Sequence, residues 1–407
     1  MIDIGIFSNG HGEDTIACKV LDRLQAARPG LSVEAWPMVG EGTAFQARRL
    51  PLVGVRNRLP SSGFATVSPR LMLGDLRAGW LRTHWRQYVA ARRMRGRYRF
   101  VIAVGDIVPL VASVAARSPF VFIACAKSYY YNPGRAFTAV EKRLMRRHCT
   151  LTFPRDRMTV QELEKAGVPT LYAGNPMMDD LEGTGDRMNL GSDAVVIGML
   201  AGTRPDAEQN LLDLLDAAGH LHRYAPDPQK YRFVFAARSE LDVRELVSMI
   251  AADKRLAGWK VASAAEDAGA TGVVVRLSGP EGIEALIAKN RFADVLRMAS
   301  VVVGMAGTAN EQAIGLGIPL IAVPSGGVQG DHYVKMKSVY FGDSALTVER
   351  NPDIIAAAIA DLLADPDRRE RMAEAGRERM GEPGASQAIA DVILDMFDKG
   401  AMGIAAQ

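Results

Sequence analysis

A chain of 407 residues exceeds one typical domain and suits two of about 200 residues each. With 48% hydrophobic and 23% charged residues, the composition excludes a disordered chain and fits an ordinary globular enzyme. A formal net charge of +3 excludes bulk attraction to nucleic acid, so any basic behaviour must be local.

The chain opens with "MIDIGIF", which has neither a basic leader nor a long apolar run, and no window approaches about 20 uninterrupted apolar residues. The expectation is a protein with no secretory signal and no spanning helix, cytoplasmic or resting on the inner face of the cytoplasmic membrane. Cys18, Cys125 and Cys149 lie far apart with no CxxC spacing. That argues against a zinc site or a disulfide framework and suits a reducing compartment.

Strand-like runs alternate with helical ones. In the first half the strands are Ile2–Phe7, Ser32–Trp36, Phe100–Gly105, Phe120–Cys125, Thr150–Phe153 and Thr170–Ala173. Several are unbroken apolar runs, as parallel strands buried on both faces require. Helix-period segments such as Thr15–Ala27 and Met158–Ala166 separate them. The first turn, "SNGHGED", carries His11, Glu13 and Asp14, which a phosphate cradle does not need. Asp14 reads as the N-cap of the helix from Thr15.

Residues 59–99 break the rhythm with a basic, aromatic insertion. Trp80 and Tyr88 share one helical face with Leu73 and Leu76, Trp85 lies beside it, and Arg92, Arg93, Arg95, Arg97 and Arg99 follow. This suits a helix on an anionic bilayer surface, or equally an ordinary core stripe with a solvated basic face. The basic run is too short to suggest nucleic acid. Asp106 directly follows an apolar strand, where burial raises a carboxyl pKa and improves a base; it also fits as the N-cap of the next helix. In "AKSYYYNPGR", Lys127, Tyr129 and Tyr130 follow another strand end and read as contacts for an acceptor headgroup, with packing an equal explanation for the tyrosines.

The Gly-, Asp- and Asn-rich stretch from Gly174 to Asp193 is the best linker. The expected organisation is a first domain over 1–174, a linker over 175–194, a second domain over 195–383, and a tail over 384–407. The tail either crosses back to the first domain or pairs with another chain. In the second half the alternation resumes with "VVIGML", "RFVFAA", "GVVVRL", "SVVVGM" and "PLIAVP", and from Pro352 only helices follow. The fold class is α/β: two doubly wound, Rossmann-like domains facing a cleft.

Two turns of the second half point at a phosphate. In Gly202-Thr203-Arg204 the glycine allows close backbone approach, the hydroxyl donates, and the guanidinium grips a diphosphate by a fork. In "AGTANEQ", Gly307 and Thr308 open a helix whose N–H groups favour an anion. One turn later Glu311 can accept both hydroxyls of a ribose, or simply balance the helix terminus.

The ordered set "SNGHGED", "GNPMMD", "AGTR" and "AGTANEQAIGLGIPLIAVP" resembles the lipid-A-disaccharide-synthase-related proteins, sugar-nucleotide glycosyltransferases of the GT-B fold. The resemblance runs over nearly the full chain. The C-terminal motifs are also similar to those of the enzyme that adds N-acetylglucosamine to the peptidoglycan lipid precursor. The resemblance implies a UDP-sugar in the second domain, with Glu311 on the ribose, Gly307 and Thr308 on the diphosphate, Gly202, Thr203 and Arg204 nearby, and Gln329 facing the sugar. It puts Asp106 where those synthases have an essential aspartate. The first turn departs from the family's glutamate-serine-glycine-aspartate element, having His11-Gly12-Glu13-Asp14 instead.

Inverting glycosyl transfer needs a base for the acceptor hydroxyl, and Asp106, His11 and Glu13 all qualify as strand-end residues of the first domain. No DxD-type carboxylate pair adjoins the donor turns, so no obligatory metal or other cofactor is expected. The expected function is transfer of a GlcNAc-like or glucose-like sugar to a lipid-linked acceptor at the cytoplasmic membrane face. A UDP-GlcNAc 2-epimerase-like isomerase and a non-catalytic nucleotide-sugar-binding protein are the alternatives.

Overall fold

The computed structural model describes residues 1–56, 80–203, 205–266, 269–325 and 337–399, apart from the side chains of His11, Trp80 and Leu81. Arg204, Gln329 and the 57–79 part of the insertion, with Leu73 and Leu76, lie outside the described residues. The chain divides into two compact units, Met1–Asp179 with Gly381–Gln407, and Asp180–Met380. The division falls inside the glycine- and aspartate-rich stretch. Among the described residues, no helix is long and apolar enough to cross a membrane.

Among the described residues, the first unit is built on five parallel strands: β1 (Ile2–Ser8), β2 (Val33–Pro37), β3 (Tyr98–Val104), β4 (Phe120–Ala124) and β5 (Leu151–Pro154), in the order β2-β1-β3-β4-β5. Unbroken apolar runs arise because both faces are covered. Ile4, Ile6, Ile102, Val104 and Ile123 point into one core, shared with α1 (His11–Ala27) and α13 (Ala385–Asp398). Phe7, Val101, Ala103, Phe120 and Phe122 point into the other. That second core is shared with α3 (Trp80–Arg93), α4 (Ile107–Ala116), α5 (Ala139–His148) and α6 (Arg157–Lys165). A short α2 (Thr43–Ala47) follows β2. Thr170–Ala173 is not a strand, since only one parallel bridge, Thr170 to Thr152, forms there. The apolar run is too short to pair further.

The last helix belongs to this unit. The Asp179 carboxylate, itself 3% exposed, accepts the N–H groups of Gly384, Ala385 and Ser386, the last at 2.6 Å. It therefore caps α13 across more than 200 residues of chain. Ile389, Ala390, Ile393 and Phe397 complete the core beside α1. Asp179→Ala strips three backbone donors, two of them buried, of their acceptor and is expected to cost about 1–3 kcal/mol. Thermal unfolding and amide exchange of α13 check this; an unchanged melting temperature with unchanged protection of the helix rejects it.

The second unit holds an eight-stranded sheet, ordered β13-β12-β11-β6-β7-β10-β9-β8. Its strands are β6 (Val195–Leu200), β7 (Tyr231–Ala237), β8 (Lys260–Ala264), β9 (Val273–Ser278), β10 (Glu284–Lys289), β11 (Ala299–Gly304), β12 (Leu320–Ala322) and β13 (Ala345–Thr347). The six from β13 to β10 are parallel, whereas β9 runs antiparallel to both β10 and β8. Exposed β8 has no apolar run to betray it, and it forms one edge of the sheet. Helices α7 (Ala207–His220), α8 (Val243–Ala252), α9 (Phe292–Met298) and α10 (Thr308–Gly315) connect these strands. The helical tail consists of α11 (Pro352–Ala364), α12 (Pro366–Met380) and α13, as the sequence suggested.

Candidate functional site

Doubly wound sheets bind ligands where successive connections leave in opposite directions, at the carboxyl ends of the strands. In the first unit that point lies between β1 and β3, where Ser8 is in register with Val104. The helices that follow, α1 and α4, pack on opposite faces of the sheet. Gly105 has φ +127°, and a Cβ on it would lie 2.8 Å from Asn9 Cβ and 3.3 Å from Glu13 Cγ. Only glycine permits this approach. It sets Glu13 against the turn that carries Asp106.

The Asp106 carboxylate accepts the Val108 N–H at 2.9 Å, so this residue does cap α4. Burial nevertheless pushes its carboxyl above the usual range, with the Val108 N–H and the Lys127 charge opposing. Burial likewise raises Glu13 from 4.5 to about 7, assisted by the charges of Asp106 and Asp14 and opposed by Arg155. Two carboxyls with raised pKa values thus stand at one switch point, a setting that can supply a base. Arg155 was not singled out in the sequence. It stands at the end of β5, 3% exposed, donating to the Cys125 carbonyl at 3.1 Å and to the Tyr131 hydroxyl at 3.4 Å. Its signal was a cation directly after an apolar strand.

Asp14 is not the cap of the first helix. Helix α1 begins four residues earlier than expected, at His11 behind Gly10, and Asp14 accepts the Ser8 hydroxyl at 2.5 Å inside the first turn. The backbone of His11 therefore sits at the start of that helix.

Because the folded state holds the Glu13 proton more tightly than the unfolded chain does, Glu13 favours folding below about pH 4.5. That contribution, about 3 kcal/mol in full, is lost as the pH rises through about 7. Glu13→Gln should match the wild type in melting temperature at pH 4 and exceed it at pH 8. Parallel melting curves across that range would refute the raised pKa.

The acceptor-side residues separate. Lys127 pairs with Glu141 at 2.5 Å and lies 5.5 Å from the Phe137 ring centre. Tyr129 is 1% exposed and packed beside Phe137 in the core, in keeping with a packing role. Tyr130 is half-buried, its N–H donating to the Ser128 hydroxyl at 3.0 Å. On α3, Gln87 and Ala91 face the interior while Trp85 is 66% exposed, with Tyr88 beside it at 5.8 Å and Arg92 over Tyr88 at 6.0 Å. The five arginines do not form one free basic face. Arg97 forks onto Glu34, Arg99 reaches Asp3 at 3.2 Å, and Arg95 donates to the Ala115 carbonyl.

In the second unit the switch point lies between β6 and β11. The Met305 N–H donates to the Leu200 carbonyl at 2.9 Å, which joins the two predicted phosphate-facing turns. Gly202 adopts φ +90°, a conformation that disfavours any side chain, and a Cβ there would meet the Ala306 Cα at 4.0 Å. Thr203 and Thr308 are both exposed, and Gly307 precedes the first turn of α10. Each turn is braced by an asparagine that the sequence analysis overlooked. Asn210 on α7 donates to the Ala201 carbonyl at 3.1 Å, and Asn310 on α10 donates to the Gly304 carbonyl at 3.2 Å. Beside them, Ala201, Gly202, Glu208, Phe235, Arg238 and Leu241 help to line a small hollow, where Arg238 pairs with Glu208.

Glu311 is 2% exposed and ion-paired with Lys337, itself 8% exposed. Lys337 also lies 5.4 Å from the Tyr340 ring centre. This partner has no local mark in the sequence, because 26 residues separate the two.

No family model matches the chain. It is 26% identical over 260 residues to a lipid-A-disaccharide synthase of Trichlorobacter lovleyi, a match covering 58% of this chain and 60% of that relative's length. It is 37% identical over 82 residues to the UDP-N-acetylglucosamine–N-acetylmuramyl-(pentapeptide) pyrophosphoryl-undecaprenol N-acetylglucosamine transferase of Anaeromyxobacter dehalogenans. That second match covers 19% of this chain and 21% of the relative. Among solved structures, the calicheamicin glycosyltransferase CalG4 is similar over 100% of both chains, with a TM-score of 0.59 at 16% identity. MurG of Acinetobacter baumannii is similar over 97% of this chain and 100% of its own, with a TM-score of 0.58 at 14% identity. A UDP-GlcNAc 2-epimerase of Neisseria meningitidis, solved with UDP-GlcNAc bound, gives 0.54 at 13% identity over 97% of this chain and 100% of its own. The fold is therefore of the GT-B class, and the sequence likeness is to lipid-A-disaccharide synthases.

Proposed function

We propose that the protein is an inverting, metal-independent glycosyltransferase that moves a GlcNAc-like or glucose-like sugar from a UDP-sugar to a lipid-linked acceptor. The observation that carries this reading is a division of labour between the two switch points. One ends in a pair of carboxyls with raised pKa values, Glu13 and Asp106. The other ends in glycine turns and helix N-termini, a setting for a diphosphate.

In this reading one carboxylate takes the proton of the acceptor hydroxyl as its oxygen bonds to the anomeric carbon. The bond from that carbon to the diphosphate oxygen breaks on the opposite face, which inverts the configuration. UDP leaves with its charge held by Thr203, Thr308, Arg204 and the start of α10. Glu311 accepts from the ribose hydroxyls, and Gln329 faces the sugar. The helix face with Trp85, Arg82 and Arg86 exposed suits contact with an anionic membrane, on the cytoplasmic side.

The test is a screen of UDP-GlcNAc and UDP-glucose against total membrane lipid extract, with mass spectrometry of new glycolipids. A hexosylated lipid supports the proposal. An epimer formed from UDP-GlcNAc without acceptor favours the isomerase instead. UDP binding with no product from any mixture favours a non-catalytic binding protein.

A further inference from the structure

Glu311 and Lys337 form a buried ion pair beside the β11–α10 turn, with the ammonium donating to Oε1. A lone carboxyl in such a place favours its neutral form, in which one oxygen carries a proton and no longer accepts. A partner ammonium reverses that preference and ties the side chain to one rotamer. We infer that Lys337 is a positioning residue that sets the charge and orientation of Glu311. It keeps the carboxylate an acceptor-only group with a fixed direction. The consequence for ligand choice rests on the reading that Glu311 receives a ribose. An ionised, fixed carboxylate selects a nucleotide with a 2′,3′-diol over one without it, because both hydroxyls must donate. Lys337 lies 26 residues beyond Glu311, so the diol-selecting group answers to a part of the chain remote in sequence from both glycine turns.

The experiment uses the full chain labelled with [δ-13C]glutamate at pH 7, with Glu311→Gln identifying the Glu311 resonance by its disappearance. In the wild type the resonance should be that of an ionised acid, and in Lys337→Met it should move to the position of a protonated one. UDP affinity should then fall at least ten-fold, while affinity for the 2′,3′-dideoxy diphosphate stays within two-fold, so that selection for the diol is lost. Lys337→Gln, which keeps a donor without the charge, is the second variant should Lys337→Met fail to fold, and the same shift is expected. An ionised Glu311 in a folded Lys337 variant overturns the inference, as does an equal loss of affinity for both nucleotides. The resonance reads the ion pair without any nucleotide. A wild type that binds no uridine diphosphate while the resonance still moves therefore rejects the nucleotide reading and upholds the role of Lys337.

Discussion

Of Asp106→Asn and Glu13→Gln, the one that removes the base is expected to lower turnover about 100- to 10,000-fold, the usual worth of a general base, while UDP affinity stays unchanged in both. Asparagine caps helices as well as aspartate does, so Asp106→Asn should keep the hydrogen bond from Val108 and the start of α4. Glutamine preserves the packing of Glu13 against Gly105. Any loss is then chemical rather than structural. The two carboxyls are separable by pH. If Glu13 is the base, the rate should rise with pH through about 7, where its proton leaves, and that limb should vanish in Glu13→Gln. His11→Ala belongs in the same series, because the backbone of His11 opens the same helix. Normal turnover in all three variants would discard the assignment of the base to this switch point. Loss of UDP binding in any of them would show that the first unit does more than activate the acceptor.

The second large effect is at Glu311. Glu311→Ala removes the partner of a buried ammonium and is expected to destabilise the protein by about 3–5 kcal/mol. For a unit of about 200 residues this corresponds to a fall in melting temperature on the order of 10 °C. UDP affinity should fall as well. Glu311→Gln retains volume and one acceptor, so it should lose less stability but a similar share of diol selection. Calorimetry with UDP and differential scanning of both variants check this. An alanine variant as stable as the wild type would mean that Lys337 finds another acceptor at no cost.

Sequence reasoning reached the two switch points because the features that make them are local. A glycine after an apolar strand, a hydroxyl residue and a helix start can all be read within ten residues, and this is how Gly202, Gly307 and Thr308 were found. Asp106 was legible both as a candidate base and as a helix cap, since both roles follow from a carboxylate at a strand end. The limits were equally physical. The start of α1 was misplaced because an aspartate that favours caps sat four residues inside the helix, where Ser8 satisfies it instead. For Tyr129 the sequence left ligand contact and packing as equal readings, because a strand-end tyrosine carries no local mark of the Phe137 ring beside it.

What the amino-acid order determined by itself was periodicity and turn chemistry. Unbroken apolar runs required strands covered on both sides, and glycine turns required the chain to bend at their ends. What only the tertiary structure decided was partnership across long stretches of chain. It joined Asp179 to the start of α13, Lys337 to Glu311, and Gly105 to Glu13. The physical reason is that burial and charge pairing depend on distance in space. A carboxyl buried against an ammonium 26 residues away has no signature in its own neighbourhood.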